Sequence, residues 1–466
     1  QYFREELSKL YVDKNIIIEE RDSLEENLKS YNNQIDKIRN DIFKLEDEFK
    51  YRVTMHKEKS DSYDSLYGSL REELENNMGL DFSKSYEELQ LRNPWFSEKY
   101  RKMQSELFVS ALKVRKQFIY ENRKNLNGAI NIWKNRGTQD EALLNIAWQW
   151  INFVIPVISS TFASFGNMFS RMGKGSVGHL FIDEAGQALP QASVGAIYRS
   201  KHIMVVGDPS QIKPVLTLEP RVLKAIGEKY GVDERYLSED ASTQTLVDAA
   251  SKYGYYKNKE KTEWIGIPLW VHRRCRYPMF DISNNISYGG KMVQAPGKNL
   301  NGKADWYDVG GEAHDKYVKA QGELLEKKIL EIAKDRPEVF NKDEKDIIYV
   351  ITPFKNVAYK LAEQLKKINF TRTDENDKVT NIGTVHTFQG KEAEIVFFVL
   401  GADSKSTGAA QWAVGNSNPN IMNVAVTRAK KEFYVIGDRK LYKSLQSEVV
   451  DITDQEIIRF NQLSNL

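Results

Sequence analysis

Cysteine is all but absent: Cys275 is the only one in 466 residues. That excludes an internal disulfide and a thiolate zinc cage, and it fits a reducing compartment, with the cytoplasm as the expected location. Long hydrophobic runs are missing as well. No stretch approaches the roughly 18 apolar residues that cross a bilayer, and the opening Gln1-Tyr2-Phe3-Arg4-Glu5-Glu6 is charged rather than signal-like, so no membrane partner is expected. Charge of one sign is also lacking: 67 Lys plus Arg stand against 65 Asp plus Glu, so a basic track for a polyanionic partner has to be local. Proline and glycine are sparse over residues 1 to about 150, where Pro94 is the single proline.

What is present is an ordinary globular balance, 41% hydrophobic and 28% charged, on a chain long enough for two or three domains. The first residue is Gln1 rather than Met, which suggests a natural chain that begins earlier. Residues 1–150 read as helical. Phe43 aside, from Leu24 through Leu28, Tyr31, Ile35, Ile38, Ile42 and Leu45 to Phe49 apolar spacing alternates strictly between four and three, the period of a coiled-coil seam. So narrow a stripe needs a partner helix. One candidate is a helix starting near Ser97 and carrying Leu107, Ala111, Val114 and Phe118, folded back as an antiparallel hairpin; the other is a second copy in a parallel zipper.

From about residue 152 the texture becomes α/β. Candidate strands are Val154 to Ser160, His179 to Ile182, Ile203 to Val206, Ile347 to Ile351, Asn381 to Val385, Ile395 to Leu400 and Phe433 to Ile436. Most are nearly continuous apolar runs, which implies parallel strands buried on both faces by helices, with the chemistry on loops beyond their carboxyl ends.

Two such loops carry reactive groups. Leu180-Phe181-Ile182-Asp183-Glu184-Ala185-Gly186-Gln187 ends an apolar run in adjacent carboxylates. Hydrolysis of a nucleoside triphosphate needs both, one to hold the magnesium that bridges the phosphates and one to orient and deprotonate water; Asp183 is assigned to metal and Glu184 to base. Taken alone, the pair reads equally as a solvated strand end. Ile203-Met204-Val205-Val206-Gly207-Asp208-Pro209-Ser210-Gln211 repeats the layout, with Gly207 permitting close backbone approach and the Gln211 amide able to sense a terminal phosphate or its water.

These two segments resemble motifs II and III of superfamily 1 helicases, in the 1B branch typified by the nonsense-mediated decay helicase and bacterial relatives. The remaining motifs follow in order: Trp270-Val271-His272-Arg273-Arg274-Cys275 resembles motif IV, Ile351-Thr352-Pro353-Phe354 the nucleic-acid-contacting segment after it, Gly383-Thr384-Val385-His386-Thr387-Phe388-Gln389-Gly390-Lys391-Glu392 motif V, and Asn423-Val424-Ala425-Val426-Thr427-Arg428-Ala429-Lys430 motif VI. The resemblance implies an α/β fold with two RecA-like parallel-sheet domains, the first incomplete at its N-terminus, plus a helical coiled-coil stalk as an insertion. The expected boundaries are 1–150 for the stalk, 151–262 for the first domain and 263–466 for the second. It further implies ATP and Mg2+ as ligands, single-stranded DNA or RNA as the track, and 5′ to 3′ movement. Arg274 and Arg428 become arginine fingers beside Glu184 and Gln211; Asp208, Arg273, Gly390 and Glu392 become nucleotide-binding candidates. Ser159, Ser160 and Thr161, with Thr352, Pro353, Thr384 and His386, become the two backbone grips on a strand. The stalk would steer nucleic acid, bind a protein partner, or act as a spacer.

Three departures stand out. Arg273 replaces the family's usual aromatic, Tyr277-Pro278 falls one residue late against its His-Pro, and the phosphate-binding Gly-x-x-x-x-Gly-Lys-Ser/Thr occurs nowhere. The nearest decoy, Gly173-Lys174-Gly175-Ser176, has Met168 where the first glycine belongs. The expectation is that this loop precedes Gln1 in a longer protein. The alternative is an ATPase-deficient scaffold or adaptor that only clamps nucleic acid or a partner, to which the retained acidic, amide and arginine residues are opposed.

Overall fold

The computed structural model describes residues 2–78, 83–92, 98–216, 218–233, 236–238, 240–257, 263–295, 302–341, 344, 346–388, 390–416 and 418–464. The chain divides into two compact units, Gln1–Ser97 and Glu98–Leu466. No helix among the described residues is long and apolar enough to cross a membrane.

In the first unit, Tyr2–Met78 form one helix, α1, about 115 Å long at about 1.5 Å per residue. Proline is absent from it, and surface pairs such as Arg52 with Glu48 (2.6 Å) lie one turn apart. The seam from Leu24 to Phe49 remains on the outside, every member at least 45% exposed. A helix of this length and surface fits a stalk.

The second unit opens with α2 (Glu98–Glu121), whose Leu107 and Val114 are exposed, and with α3 (Glu141–Val154), capped by Asp140 accepting from the Leu143 amide at 2.9 Å. The expected boundary at 150/151 falls inside α3, and that at 262/263 lies outside the described residues. The strand expected over Val154 to Ser160 does not form: Val154 ends α3, and 155–161 has no ladder partner among the described residues. Pro156 removes a donor that a ladder would need.

Two parallel strands follow, β1 (Val177–Ile182) and β2 (Ser200–Val205), in register Ile182 opposite Val205. Their crossover is α5 (Pro190–Arg199), preceded in the chain by α4 (Phe162–Met168). Trp148 of α3 stacks on Phe169 at 4.5 Å, and Phe165 and Ala196 complete a small core. The opposite face contradicts the expectation of burial on both sides. Phe181 and Met204, paired in register, are 68% and 58% exposed, because no layer of described residues packs there.

The large core lies further on. Strands β3 (Lys303–Asp308), β4 (Ile348–Thr352), β5 (Ile382–Thr384), β6 (Ala393–Val399) and β7 (Ala429–Gly437) form an all-parallel sheet in the order β5-β4-β6-β7-β3. Every residue of β4 is buried, as its unbroken apolar run requires. Strand β3 was not expected. Its run Lys-Ala-Asp-Trp-Tyr-Asp buries only Ala304 and Trp306, the alternation of an edge strand. Helices Lys319–Asp335 and Lys355–Lys366 bury Leu325 and Ile329, and Val357, Leu361 and Leu365, on the same core.

Phe397, wholly buried in β6, is expected to cost about 3–5 kcal/mol on replacement by alanine, read as a lower midpoint in urea unfolding.

Candidate functional site

The carboxyl end of β1 is conformationally forced. Glu184 adopts the left-handed backbone, φ 53°, which non-glycine residues rarely occupy. Its surroundings over-determine it. The Glu184 amide donates to Asp183 Oδ1 at 2.9 Å, the Ala185 amide to the Val206 carbonyl at 3.1 Å, and Gln187 Nε2 to Glu184 Oε2 at 2.8 Å. Asp183 itself is exposed and Glu184 half-buried.

Close approach of two glycines aligns this turn with the end of β2. A methyl group on Gly207 would lie 2.6 Å from the Gly186 nitrogen, and one on Gly186 would lie 2.7 Å from the Asp208 carbonyl oxygen. The following turn is self-capped: Ser210 and Gln211 donate to Asp208 through the Ser210 amide (2.9 Å) and Gln211 Nε2 (2.9 Å). Ile212, 7% exposed, then inserts into the large core among residues that include Met279 and Val424. One apolar side chain thus seats the Gln211 turn in the C-terminal lobe.

That lobe supplies the cations. Arg428 is 3% exposed and donates to the carbonyls of Lys391 (3.0 Å), Phe388 (3.5 Å) and Val424 (3.4 Å), and to Gln211 Oε1 (3.1 Å). Burial, and after it the charge of Arg274, draws its pKa below the ordinary guanidinium value, opposed by Glu184 and Glu392. Arg274 pairs through Nε with Glu392 at 2.6 Å, and the other oxygen of Glu392 pairs with Lys430 at 2.6 Å. The Lys430 hydrogen bond holds the Glu392 carboxyl below the usual range against partial burial. Gly390 has φ +67°, and a methyl there would sit 3.9 Å from Glu184 Oε1. Glu184, Gln211, Arg428, Arg274, Glu392 and Gly390 therefore share one cleft, with Asp208 at its base. Arg273 is exposed beside it, and Gln389 lies outside the described residues.

The strand-grip candidates are dispersed in their exposure. Ser159 and Ser160 are exposed; Thr161 caps α4, accepting from the Ser164 amide at 3.2 Å. Thr352 and Thr384 are register partners, but Thr352 has no exposed surface, Pro353 is buried and Thr384 half-buried. His386 is exposed, and partial burial of its ring followed by Lys355 holds its pKa below the usual value. The decoy at Gly173 is an ordinary turn, its amide donating to Glu141 at 2.9 Å.

Residue-type reasoning missed Ile212, Tyr288, Asn420 and a role for Asn423. Asn423 Nδ2 donates to the Ser210 carbonyl at 2.9 Å, Asn420 to that of Gln211, and Tyr288 to Asp208. Asn423 stood inside a quoted motif; the Gly289-Gly290 pair, both at positive φ, was the available sign that the helix stops at Tyr288.

Gly207→Ala is expected to lose about 1–3 kcal/mol, measured by urea unfolding, because its methyl meets backbone on the facing turn. His272 accepts from the Cys275 amide at 2.9 Å, and burial, then Arg274, pulls its pKa down to about 4. A lowered folded pKa means stability is fully present above the ordinary value of 6.5 and declines as pH falls from there towards about 4. Urea midpoints across that interval should fall in the parent and fall less in His272→Gln.

Two family profiles, each described as an AAA domain, match residues 9–218 and 273–440. The chain is 22% identical over 269 residues to the DNA replication ATP-dependent helicase/nuclease DNA2 of Gallus gallus, covering 55% of this chain and 22% of that protein. It is 22% identical over 285 residues to the probable helicase MAGATAMA 3 of Arabidopsis thaliana, covering 57% of this chain and 31% of that one. It therefore spans less than a third of the length of either relative. Among solved structures, the PRRSV helicase matches with a TM-score of 0.28 and 13% identity, over 57% of this chain and 36% of that one. With helicase motifs in their expected order, AAA-domain matches on both sides of the cleft and helicases as its relatives, the chain is a superfamily 1 helicase-like protein.

Proposed function

We propose that the protein is the motor of an ATP-dependent helicase or translocase of the 1B type, hydrolysing ATP in the cleft and moving along single-stranded DNA or RNA. The observation that carries this reading is the convergence of Glu184, Gln211, Arg274 and Arg428, drawn from both sides of the cleft. Glu184 is the base that takes a proton from water, Gln211 orients that water, and the two guanidinium groups neutralise charge on the phosphates. Asp183, an exposed carboxylate at a strand end, is the fitting holder for magnesium, which when bound would screen phosphate charge. Glu392, already paired with Arg274, would exchange that cation with the incoming phosphate. Opening and closing of the cleft would move the grip at Ser159, Ser160 and Thr161 relative to that at Thr352, Pro353, Thr384 and His386. The Thr352 and Pro353 side chains are buried, so backbone groups make that part of the contact.

Glu184→Gln, made in a full-length protein that carries the phosphate-binding loop and compared with that protein as parent, tests this directly. The variant should bind a fluorescent ATP analogue as the parent does and lose strand-stimulated hydrolysis by at least about a hundredfold. Hydrolysis retained by the variant would remove Glu184 from the role of base; no nucleotide binding by the parent would favour an ATPase-deficient adaptor. Arg428→Ala should lower the rate by about a thousandfold.

A further inference from the structure

Tyr288 closes the helix Met279–Ser287, its amide donating to the Asn284 carbonyl at 3.0 Å. Gly289 and Gly290 follow at φ 58° and 72°, turning the chain sharply. The turn is stapled back: the Met292 amide donates to Asn284 Oδ1 at 3.0 Å, and Asn284 Nδ2 donates to the Met292 carbonyl at 3.2 Å. The tyrosine ring is therefore delivered in one direction, and its hydroxyl donates to Asp208 Oδ2.

The hydrogen bonds around that hydroxyl have one consistent polarity. Ser283 Oγ donates to Asn423 Oδ1 at 2.7 Å, which fixes the amide so that Nδ2 donates both to the Ser210 carbonyl (2.9 Å) and to the Tyr288 oxygen (3.2 Å). With its oxygen accepting from Asn423, Tyr288 spends its proton on Asp208. Asp208 Oδ2 also accepts Gln211 Nε2 at 2.9 Å, so the Gln211 amide has its nitrogen committed and its oxygen turned to Arg428 at 3.1 Å. Reversal of that amide would set an oxygen against a carboxylate and a nitrogen against a guanidinium. Burial, with the Asp208 charge beside it, keeps the phenol protonated by raising its pKa well above the usual value.

We propose that Tyr288, oriented by Asn423, is a positioning residue for Gln211: it fixes the Asp208 carboxylate from the opposite lobe and so sets which end of the Gln211 amide faces Arg428. The role rests on the hydrolysis reading for its catalytic consequence but not for its structural one. It gives the cleft a buried hydrogen bond from a neutral phenol to a carboxylate between the Gln211 turn and the C-terminal lobe, distinct from the ion pairs around Glu392.

Tyr288→Phe keeps the ring and deletes the proton that Asp208 accepts. In hydrogen exchange followed by mass spectrometry, the segment 208–212 should exchange about tenfold faster in the variant, with the rest of the C-terminal lobe unchanged. Strand-stimulated kcat should fall by about tenfold while KM for ATP stays within about twofold. Unchanged exchange at 208–212 overturns the proposal whatever the activity does. Faster exchange with an unaltered kcat also overturns it, by showing that the turn can loosen without catalytic effect. A parent protein that does not hydrolyse ATP defeats the hydrolysis reading and the catalytic arm together, and the exchange result then still decides whether Tyr288 holds the turn. Asn423→Ala, which frees the tyrosine proton to turn away, should reproduce both changes; exchange as slow as the parent's in this variant would overturn the part assigned to Asn423.

Discussion

A guanidinium with 3% of its surface exposed has to be hydrogen-bonded or it would not be there, and the placement of Arg428 organises the cleft around it. Its donors reach carbonyls on the helix Pro419–Thr427 and on the loop after β5, and a side-chain oxygen on the facing lobe. The bonds to the Phe388 and Lys391 carbonyls hold the chain on either side of Gly390. There Gly390 lies against Glu184, and Glu392 within reach of Arg274 and Lys430. The strongest charge in the site is thus also the chief constraint on its backbone.

The two sides of the cleft differ in the size of the sheet behind them. On the arginine side stands a five-stranded parallel sheet with a wholly buried inner strand, β4. On the carboxylate side stand two strands, one face exposed, ending in a residue held in the left-handed region. The large buried core thus lies on the arginine side and a small one on the side of the Glu184 turn. The Ile212 plug and the Asp208 to Gln211 turn join them. Several hydrogen bonds make this joint, from Asn420, Asn423, Tyr288 and Arg428, and no ion pair is among them.

Charges in the cleft are shared rather than paired one to one. Arg274 and Lys430 share one carboxylate, that of Glu392, and Arg428 is neutralised only by dipoles and by more distant acids. Arg274, Arg428 and Lys430 face Glu184, Glu392 and Asp208 there, a local balance of charge in keeping with a chain whose total charge is +2.

Much of this was written in the residues. Continuous apolar runs at Ile347 to Ile351 and Ile395 to Leu400 named buried parallel strands, because a strand covered on both faces has no place for a polar side chain. The seam from Leu24 to Phe49 declared a long helix through its period alone. Glu184 and Gln211 stood out as polar groups ending apolar runs, whereas Arg274 and Arg428 were singled out only through the family resemblance, and Arg428 lies at the C-cap of the helix Pro419–Thr427 rather than at the end of a strand. The sequence could not disclose the edge strand Lys303–Asp308, whose pattern is half polar, nor the loss of a strand after Val154, which depends on whether a ladder partner is present. Nor could it reveal that Thr352 is buried, or that Tyr288, Asn420 and Asn423 close on the Gln211 turn from 80 to 213 positions along the chain. Local pattern determines which segments are strands and which side chains can react, because propensity and burial act over a few neighbouring residues. Only tertiary folding decides which distant amide, hydroxyl and guanidinium meet, because hydrogen-bond geometry is satisfied in space and leaves no period in the chain.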